Sequence, residues 1–198
     1  MTSIIGLSGA SGQDWYSWPV GTTASTKESL TDRFSQEPDL LATTLDAISN
    51  CDAQAHDRGA SIAGVWMPSI TEGQIVAHMW AGVIPDAQDT DLRSARRYER
   101  TIRDRGFDEE TTVYSQLIQP FYAGDVEGLL VVETRAEGDG AEPYILARAI
   151  YFPVWTTDRV VFEAISSLDF LEGFILDVAL MASSVTMTPS GTNETNKT

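Results

Sequence analysis

The sequence is short of the side chains that most often bind metals or form covalent cross-links. Its 198 residues include one cysteine, Cys51, and two histidines, His56 and His78. A single cysteine excludes an internal disulfide and any multi-cysteine metal site, and two histidines so far apart do not indicate a histidine-rich site. Cys51 and His56 are also too far apart on a predicted helix to face each other. We therefore predict a buried or partly buried Cys51 thiol, no metal and no cofactor.

Long apolar segments are missing as well. No apolar run approaches the roughly 18 residues that a membrane-spanning helix requires. Residues 1–7 lack the basic region and the long apolar core of a secretory signal peptide. These absences predict a cytoplasmic protein.

Basic residues are scarce. The chain has 13 Lys and Arg against 29 Asp and Glu, which gives a net charge of −16. Such a charge repels phosphate backbones and anionic headgroups, so we expect binding to neither nucleic acids nor membranes. Its simplest role is solubility. Apolar residues make up 42 % of the chain, which is enough for a folded core.

Motifs of known catalytic sites are also absent. Residues 6–12 are rich in glycine, but they follow no predicted strand and lack the lysine of a phosphate-binding loop. Residues 9–13 do not form the Gly-x-Ser-x-Gly frame of a nucleophile elbow. Carboxylates are abundant, but no spacing among them singles out an acid–base pair. The sequence therefore predicts no catalytic residues, which weighs against an enzyme.

What the sequence does contain is a series of strand-like segments. They are rich in β-branched and aromatic residues and are bounded by turn-forming residues: 15–20, 61–67, 74–84, 113–119, 128–134, 144–152 and 159–165. The last four are joined by short connections, which favour an antiparallel meander. The segments at 61–67 and 74–84 predict a hairpin.

Helical patterns occupy the intervening regions. Residues 25–58 are divided by Pro38 and end before Gly59, and further helices are predicted at 90–105 and 168–183. The order of elements predicts an α+β fold: a mostly antiparallel sheet of about six to seven strands with helices on both faces, a three-layer α/β/α sandwich. We assign residues 1–13 to a flexible N-terminus, 14–187 to a single domain and 188–198 to a disordered polar tail.

This arrangement resembles the Mog1/PsbP-like group of folds. The likeness rests on the aromatic first strand, the hairpin at 61–84, the helix at 91–105 and the ending at 160–174. It covers about residues 15–185 and is one of topology and pattern. The resemblance implies a non-catalytic partner or accessory factor, because most members of that group have such roles.

The predicted helix at 90–105 carries an unusual share of the positive charge. Six of the 13 basic residues lie on or beside it: Arg93, Arg96, Arg97, Arg100, Arg103 and Arg105. At about 100° per residue the first five form a stripe roughly 120° wide. Ala95, Tyr98 and Ile102 lie opposite the stripe and are predicted to face the core.

The stripe has two interpretations. Guanidinium groups suit carboxylates and phosphates, so it could be a docking face for an acidic partner. Alternatively, the arginines neutralise acidic neighbours such as Glu99, which lies at helical pairing distance from Arg96 and Arg103.

Our first functional hypothesis is a non-enzymatic interaction or accessory module that docks an acidic protein partner through Arg93, Arg96, Arg97, Arg100 and Arg103. Self-association, with the acidic surface of one copy on the arginines of another, is also open. The alternative is a small-ligand-binding protein or enzyme with an aromatic-lined pocket between sheet and helices, formed by Trp66, His78, Trp80 and Tyr151.

Overall fold

The structure of the protein, a computed structural model, describes residues 4–7, 14–68, 71–84, 94–104, 111–138 and 140–188. The strands within these ranges are β1 (Ile4–Leu7), β2 (Trp15–Pro19), β3 (Ile62–Trp66), β4 (Ala77–Ile84), β5 (Thr111–Ala123), β6 (Val126–Glu137), β7 (Tyr144–Phe152), β8 (Arg159–Ser167) and β9 (Val185–Thr188). The helices are α1 (Ala24–Arg33), α2 (Pro38–Asp57), α3 (Ala95–Asp104) and α4 (Leu171–Ser184), with a 3₁₀ turn at Leu168–Phe170.

Seven strands form one sheet in the order β2-β3-β4-β8-β7-β6-β5. Every pairing in it is antiparallel. Strands β5 to β8 form the predicted meander, and the predicted hairpin of β3 and β4 joins it through β8. The predicted α+β class with an antiparallel sheet is confirmed.

The ends of α2 follow from two residues that the sequence analysis singled out. Pro38 is the first residue of α2, where its missing N–H costs no helical hydrogen bond. Gly59 lies just beyond the helix with a φ of 68°, in the left-handed region that glycine adopts without steric cost.

Alternate residues of the central strand β4 belong to different parts of the core. Ala77, Met79 and Ala81 pack in a cluster with α4, whereas Trp80 packs in a cluster with α1 and α2. Successive side chains of a strand point to opposite faces of the sheet. This alternation supports the expected helices on both faces, and the three-layer sandwich itself stays a prediction.

The ends of the described chain differ from the prediction. Strands β1 and β9 pair antiparallel in a separate two-stranded sheet. Residues 4–7 are therefore not a flexible N-terminus, and Thr188 is not part of a disordered tail. Each strand has only four residues, too few to show an alternating pattern, and its partner lies at the other end of the chain. The rest of both assigned segments, apart from these strands, falls outside the described residues.

Candidate functional site

Helix α3 is fixed to the sheet by its apolar side. Ala95 is buried, and Tyr98 and Ile102 are partly buried against residues of β6 and β7. The ring centroid of Tyr98 lies 5.9 Å from that of Phe152. The prediction that these three helix residues face the core is confirmed. Packing therefore fixes which side of α3 points to solvent.

The solvent side of α3 carries the arginines. Arg96, Arg97, Arg100 and Arg103 are all exposed. Arg103 donates hydrogen bonds of 2.8 and 3.1 Å to the Glu99 carboxylate, so the neutralising interpretation holds for this residue. Among the described residues, Arg96 and Arg100 have no carboxylate within 4 Å. Arg93 and Arg105 lie outside the described residues.

The four residues predicted to line one pocket lie in two different places. Trp66 and Tyr151 are buried in the cluster that contains α4, where the Tyr151 hydroxyl donates a 2.8 Å hydrogen bond to the carbonyl oxygen of Ala182. His78 and Trp80 point to the other face, because strand side chains alternate and the β3–β4 register sets Trp66 opposite Ala77. The prediction of a shared pocket is therefore wrong.

His78 lines a cavity of its own. The cavity measures about 420 Å³ and lies between α2 and the start of β4, with Leu40, Thr44 and Ala47 on the helix side and Ile75 and His78 on the other. Burial lowers the pKa of His78 below its ordinary value, so the imidazole is neutral at pH 7. The cavity is mainly apolar, with one neutral imidazole that can donate or accept a hydrogen bond.

Trp80 belongs to a polar cluster around Glu163. Trp80 Nε1 donates a 3.1 Å hydrogen bond to Glu163 Oε1, and Arg148 Nε donates one of 2.7 Å to Oε2. Arg58 Nη1 lies 3.5 Å from Oε1, and the Arg58 guanidinium carbon lies 4.2 Å from the Trp80 ring centroid. A cleft of about 320 Å³ opens beside this cluster.

The opposite charges of the Glu163 cluster compensate each other within the fold. Burial alone would lower the pKa of Arg148, but the charge and hydrogen bond of Glu163 outweigh burial and raise it. The Glu163 side chain is only 11 % exposed, and both of its carboxylate oxygens have donors. Both carboxylate oxygens are thus engaged by donors of the fold itself, so the cluster is a structural ion pair.

A second polar group lies on the same face, farther toward β5. Gln116 Nε2 donates a 2.7 Å hydrogen bond to Glu133, and Arg135 Nη1 lies 3.6 Å from the same carboxylate. Arg135 Nε also donates to the Tyr144 hydroxyl at 2.9 Å. Sequence reasoning missed both polar groups, although charged residues inside otherwise apolar strands were a visible signal.

Cys51 and His56 do not form a catalytic pair. The Cys51 thiol is 2 % exposed and donates to the carbonyl oxygen of Gly64 at 3.4 Å. Burial raises its pKa to about 11, so the nucleophilic thiolate is scarce at neutral pH. His56 is exposed beside Asp57. The predicted buried thiol is confirmed.

The described residues contain no group of three or more His, Cys, Asp or Glu side chains arranged to hold a metal ion. None of the helices in those residues combines the length and the apolar character needed to cross a membrane.

Comparison with known proteins gives no family. No family model matches the chain, and no curated protein matches it. One similar solved structure is that of PA94 from Pseudomonas aeruginosa, a protein of unknown function. The match has a TM-score of 0.38 and 9 % identity, and it covers 66 % of this chain and 76 % of that one. The resemblance to the Mog1/PsbP-like group stays a prediction.

Proposed function

We propose that the protein is a non-enzymatic interaction module that docks an acidic protein partner through α3. One observation carries this proposal: Arg96 and Arg100 are exposed and have no carboxylate within 4 Å among the described residues. Apolar packing of Ala95, Tyr98 and Ile102 on the sheet holds the helix in a fixed orientation. The two arginines are thus available for a partner at a defined position.

The spacing of the two arginines suits a carboxylate-rich surface. Residues four apart on a helix lie on the same side, with Cβ atoms about 5–6 Å apart. A guanidinium group can form two parallel hydrogen bonds with one carboxylate. The rest of the chain is strongly acidic, since the net charge is −16. The chain as a whole therefore repels an acidic partner, and the exposed arginines of α3 favour an approach from their side.

A direct binding measurement tests this proposal. We expect a fluorescein-labelled polyglutamate peptide to bind the wild type at low salt, with an affinity that falls as salt is added. In the R96E/R100E double variant each site loses an attraction and gains a repulsion. At roughly 1 kcal/mol per exposed site, the affinity falls by about tenfold or more. Fluorescence anisotropy at two salt concentrations measures the dissociation constants.

The matched control is K27E/R33E, which changes the same number of positive residues on α1. Both double variants carry a net charge of −16 − 4 = −20. The control should bind the peptide almost as well as the wild type, because its changes lie far from α3 in sequence and on another helix. Equal weakening in both variants would mean that only the net charge matters, and would contradict docking through α3.

A second candidate function is small-ligand binding at the His78 cavity. Its volume of about 420 Å³ falls within the roughly 300–1,000 Å³ typical of ligand pockets. We expect compounds with an apolar body and one hydrogen-bonding group to raise the melting temperature of the wild type. An A47F variant, whose larger side chain fills the cavity, should not respond. Equal shifts in both proteins would count against this site.

A further inference from the structure

Strand β5 ends the main sheet on one side and carries no charge. It is 13 residues long, from Thr111 to Ala123, and contains no Asp, Glu, Lys or Arg. One of its edges pairs with β6. Among the described residues no strand lies along the other edge. Charged residues make up 21 % of the whole chain, so an uncharged strand of this length is unusual within it.

The open edge of β5 has little protection against pairing. Natural edge strands avoid pairing by being short, by carrying charged side chains, or through prolines and bulges. β5 has one proline, Pro120, and one irregularity between Val113 and Ser115. Residues 115–119 between them are regular. The strand also exposes large apolar side chains, Leu117 at 48 % and Tyr122 at 67 %.

We propose that β5 pairs antiparallel with β5 of a second copy of this chain, so that two seven-stranded sheets become one continuous sheet. An antiparallel pair of identical strands is related by a two-fold axis, which closes the assembly at a dimer. Leu117 is the middle residue of the strand and of its regular segment 115–119, so an axis near it lets this segment pair with its copy. The exposed Leu117 side chains of the two copies then lie next to each other.

Charge favours a second copy as the occupant of this edge. Two bodies of net charge −16 repel each other, and a contact between two uncharged surfaces adds no close pair of like charges to that repulsion. β5 offers such a contact, and self-pairing sets no like charges opposite each other. An acidic foreign partner is instead attracted to α3. The two surfaces therefore suit different occupants.

The dimer also determines where the two arginine-rich helices lie. A two-fold axis perpendicular to the sheet keeps equivalent faces on the same side, so both α3 helices share one face. α3 packs against β6 and β7. Neighbouring strands are about 4.8 Å apart, so a helix centred over β6 and β7 lies about two strand spacings from the two-fold axis between the β5 strands. The two helix axes are therefore roughly 19 Å apart. Since a helix with its side chains is about 10–12 Å wide, an extended chain fits between them.

The groove between the two α3 helices extends the proposed function, and this part of the inference rests on that function. The dimer places the helices that carry the exposed Arg96 and Arg100 on the same face of the joined sheet, one on each side of the groove. An acidic segment lying in the groove can reach both helices at once, and the second contact is then intramolecular. The β5 pairing itself does not depend on what α3 binds.

The pairing is tested by the mass in solution of the wild type and two lysine variants. We expect the wild type to form a dimer of twice the 21.6 kDa chain mass. L117K places two positive charges opposite each other at the seam and should be a monomer. The control L176K makes the same change on α4, where Leu176 is 61 % exposed, and should stay a dimer.

Net charge cannot explain the expected loss of the dimer. Both lysine variants are less negative than the wild type, which by itself favours association. Amide hydrogen exchange gives a second readout, because β5 amides along the open edge should exchange more slowly in the wild type and in L176K than in L117K. A monomeric wild type, or an L117K dimer with unchanged β5 exchange, overturns the pairing.

The polyglutamate assay separates the two parts of the inference. If the groove binds the peptide, L117K should weaken binding several-fold while L176K leaves it unchanged. Equal binding by monomeric L117K and the dimeric wild type would overturn the groove and leave the pairing intact. Unchanged binding in R96E/R100E would instead overturn docking through α3, whatever the oligomeric state.

Discussion

Replacing Glu163 by glutamine should lower the free energy of unfolding by about 3 kcal/mol, as judged by urea denaturation at pH 7. Glutamine keeps the shape of the side chain and can still accept the Trp80 hydrogen bond. It removes the negative charge that compensates Arg148, whose side chain is 32 % exposed against 11 % for Glu163. The value lies at the low end of the range for buried pairs because Arg148 retains some contact with water.

A double variant tests whether the loss comes from an uncompensated charge. In R148M/E163L both charges of the pair are gone, so we expect stability to return to within about 1–2 kcal/mol of the wild type, and the remaining loss comes from the Trp80 N–H, which no longer has its acceptor. The exposed pair of Arg103 and Glu99 provides the comparison, since R103Q should cost about 0.3–0.5 kcal/mol. If E163Q is no more destabilising than R103Q, the Glu163 cluster does not stabilise the fold.

The secondary structure was largely predictable because its signals are local. Apolar spacing, Pro38 and Gly59 define α2 without reference to other parts of the chain. The four strands of the meander are recognisable because short turns join consecutive strands, which constrains them to pair. The apolar side of α3 was predictable for the same reason, since it depends on helical spacing within ten residues.

The candidate sites were less predictable because they depend on strand register. The alternating pattern of a strand shows which of its own residues share one face of the sheet. It does not show which residues of the neighbouring strand point to that same face. Trp66 and Trp80 each lie on an apolar strand, and only the β3–β4 register shows that they point apart. Similarly, Arg148 lies opposite Glu163 through the β7–β8 pairing.

Non-local pairing limited the prediction in two further places. β4 pairs with β8, across the whole meander, and this contact sets Trp80 opposite Glu163. β1 and β9 pair across nearly the full chain length. No pattern inside a four-residue segment identifies a partner so distant. The edge position of β5 is likewise a property of the sheet order and not of the strand.

Replacing Phe174 by alanine should have the largest effect of any substitution considered, a loss of about 3–5 kcal/mol in the free energy of unfolding. Phe174 on α4 has no exposed surface, and its ring centroid lies 5.9 Å from that of Trp66. Truncation removes the buried ring and leaves a cavity beside the indole. Urea denaturation followed by tryptophan fluorescence measures the loss.

The same helix provides the control, because Leu176 lies two residues away and is 61 % exposed. L176A keeps a good helix former and removes little buried surface, so its effect should stay within about 0.5 kcal/mol. Comparable losses in both variants would mean that α4 does not cover the Trp66 side of the sheet. Phe174 and α3 belong to separate core clusters. The folded fraction of F174A should therefore bind polyglutamate like the wild type, which separates the stability supplied by α4 from the docking assigned to α3.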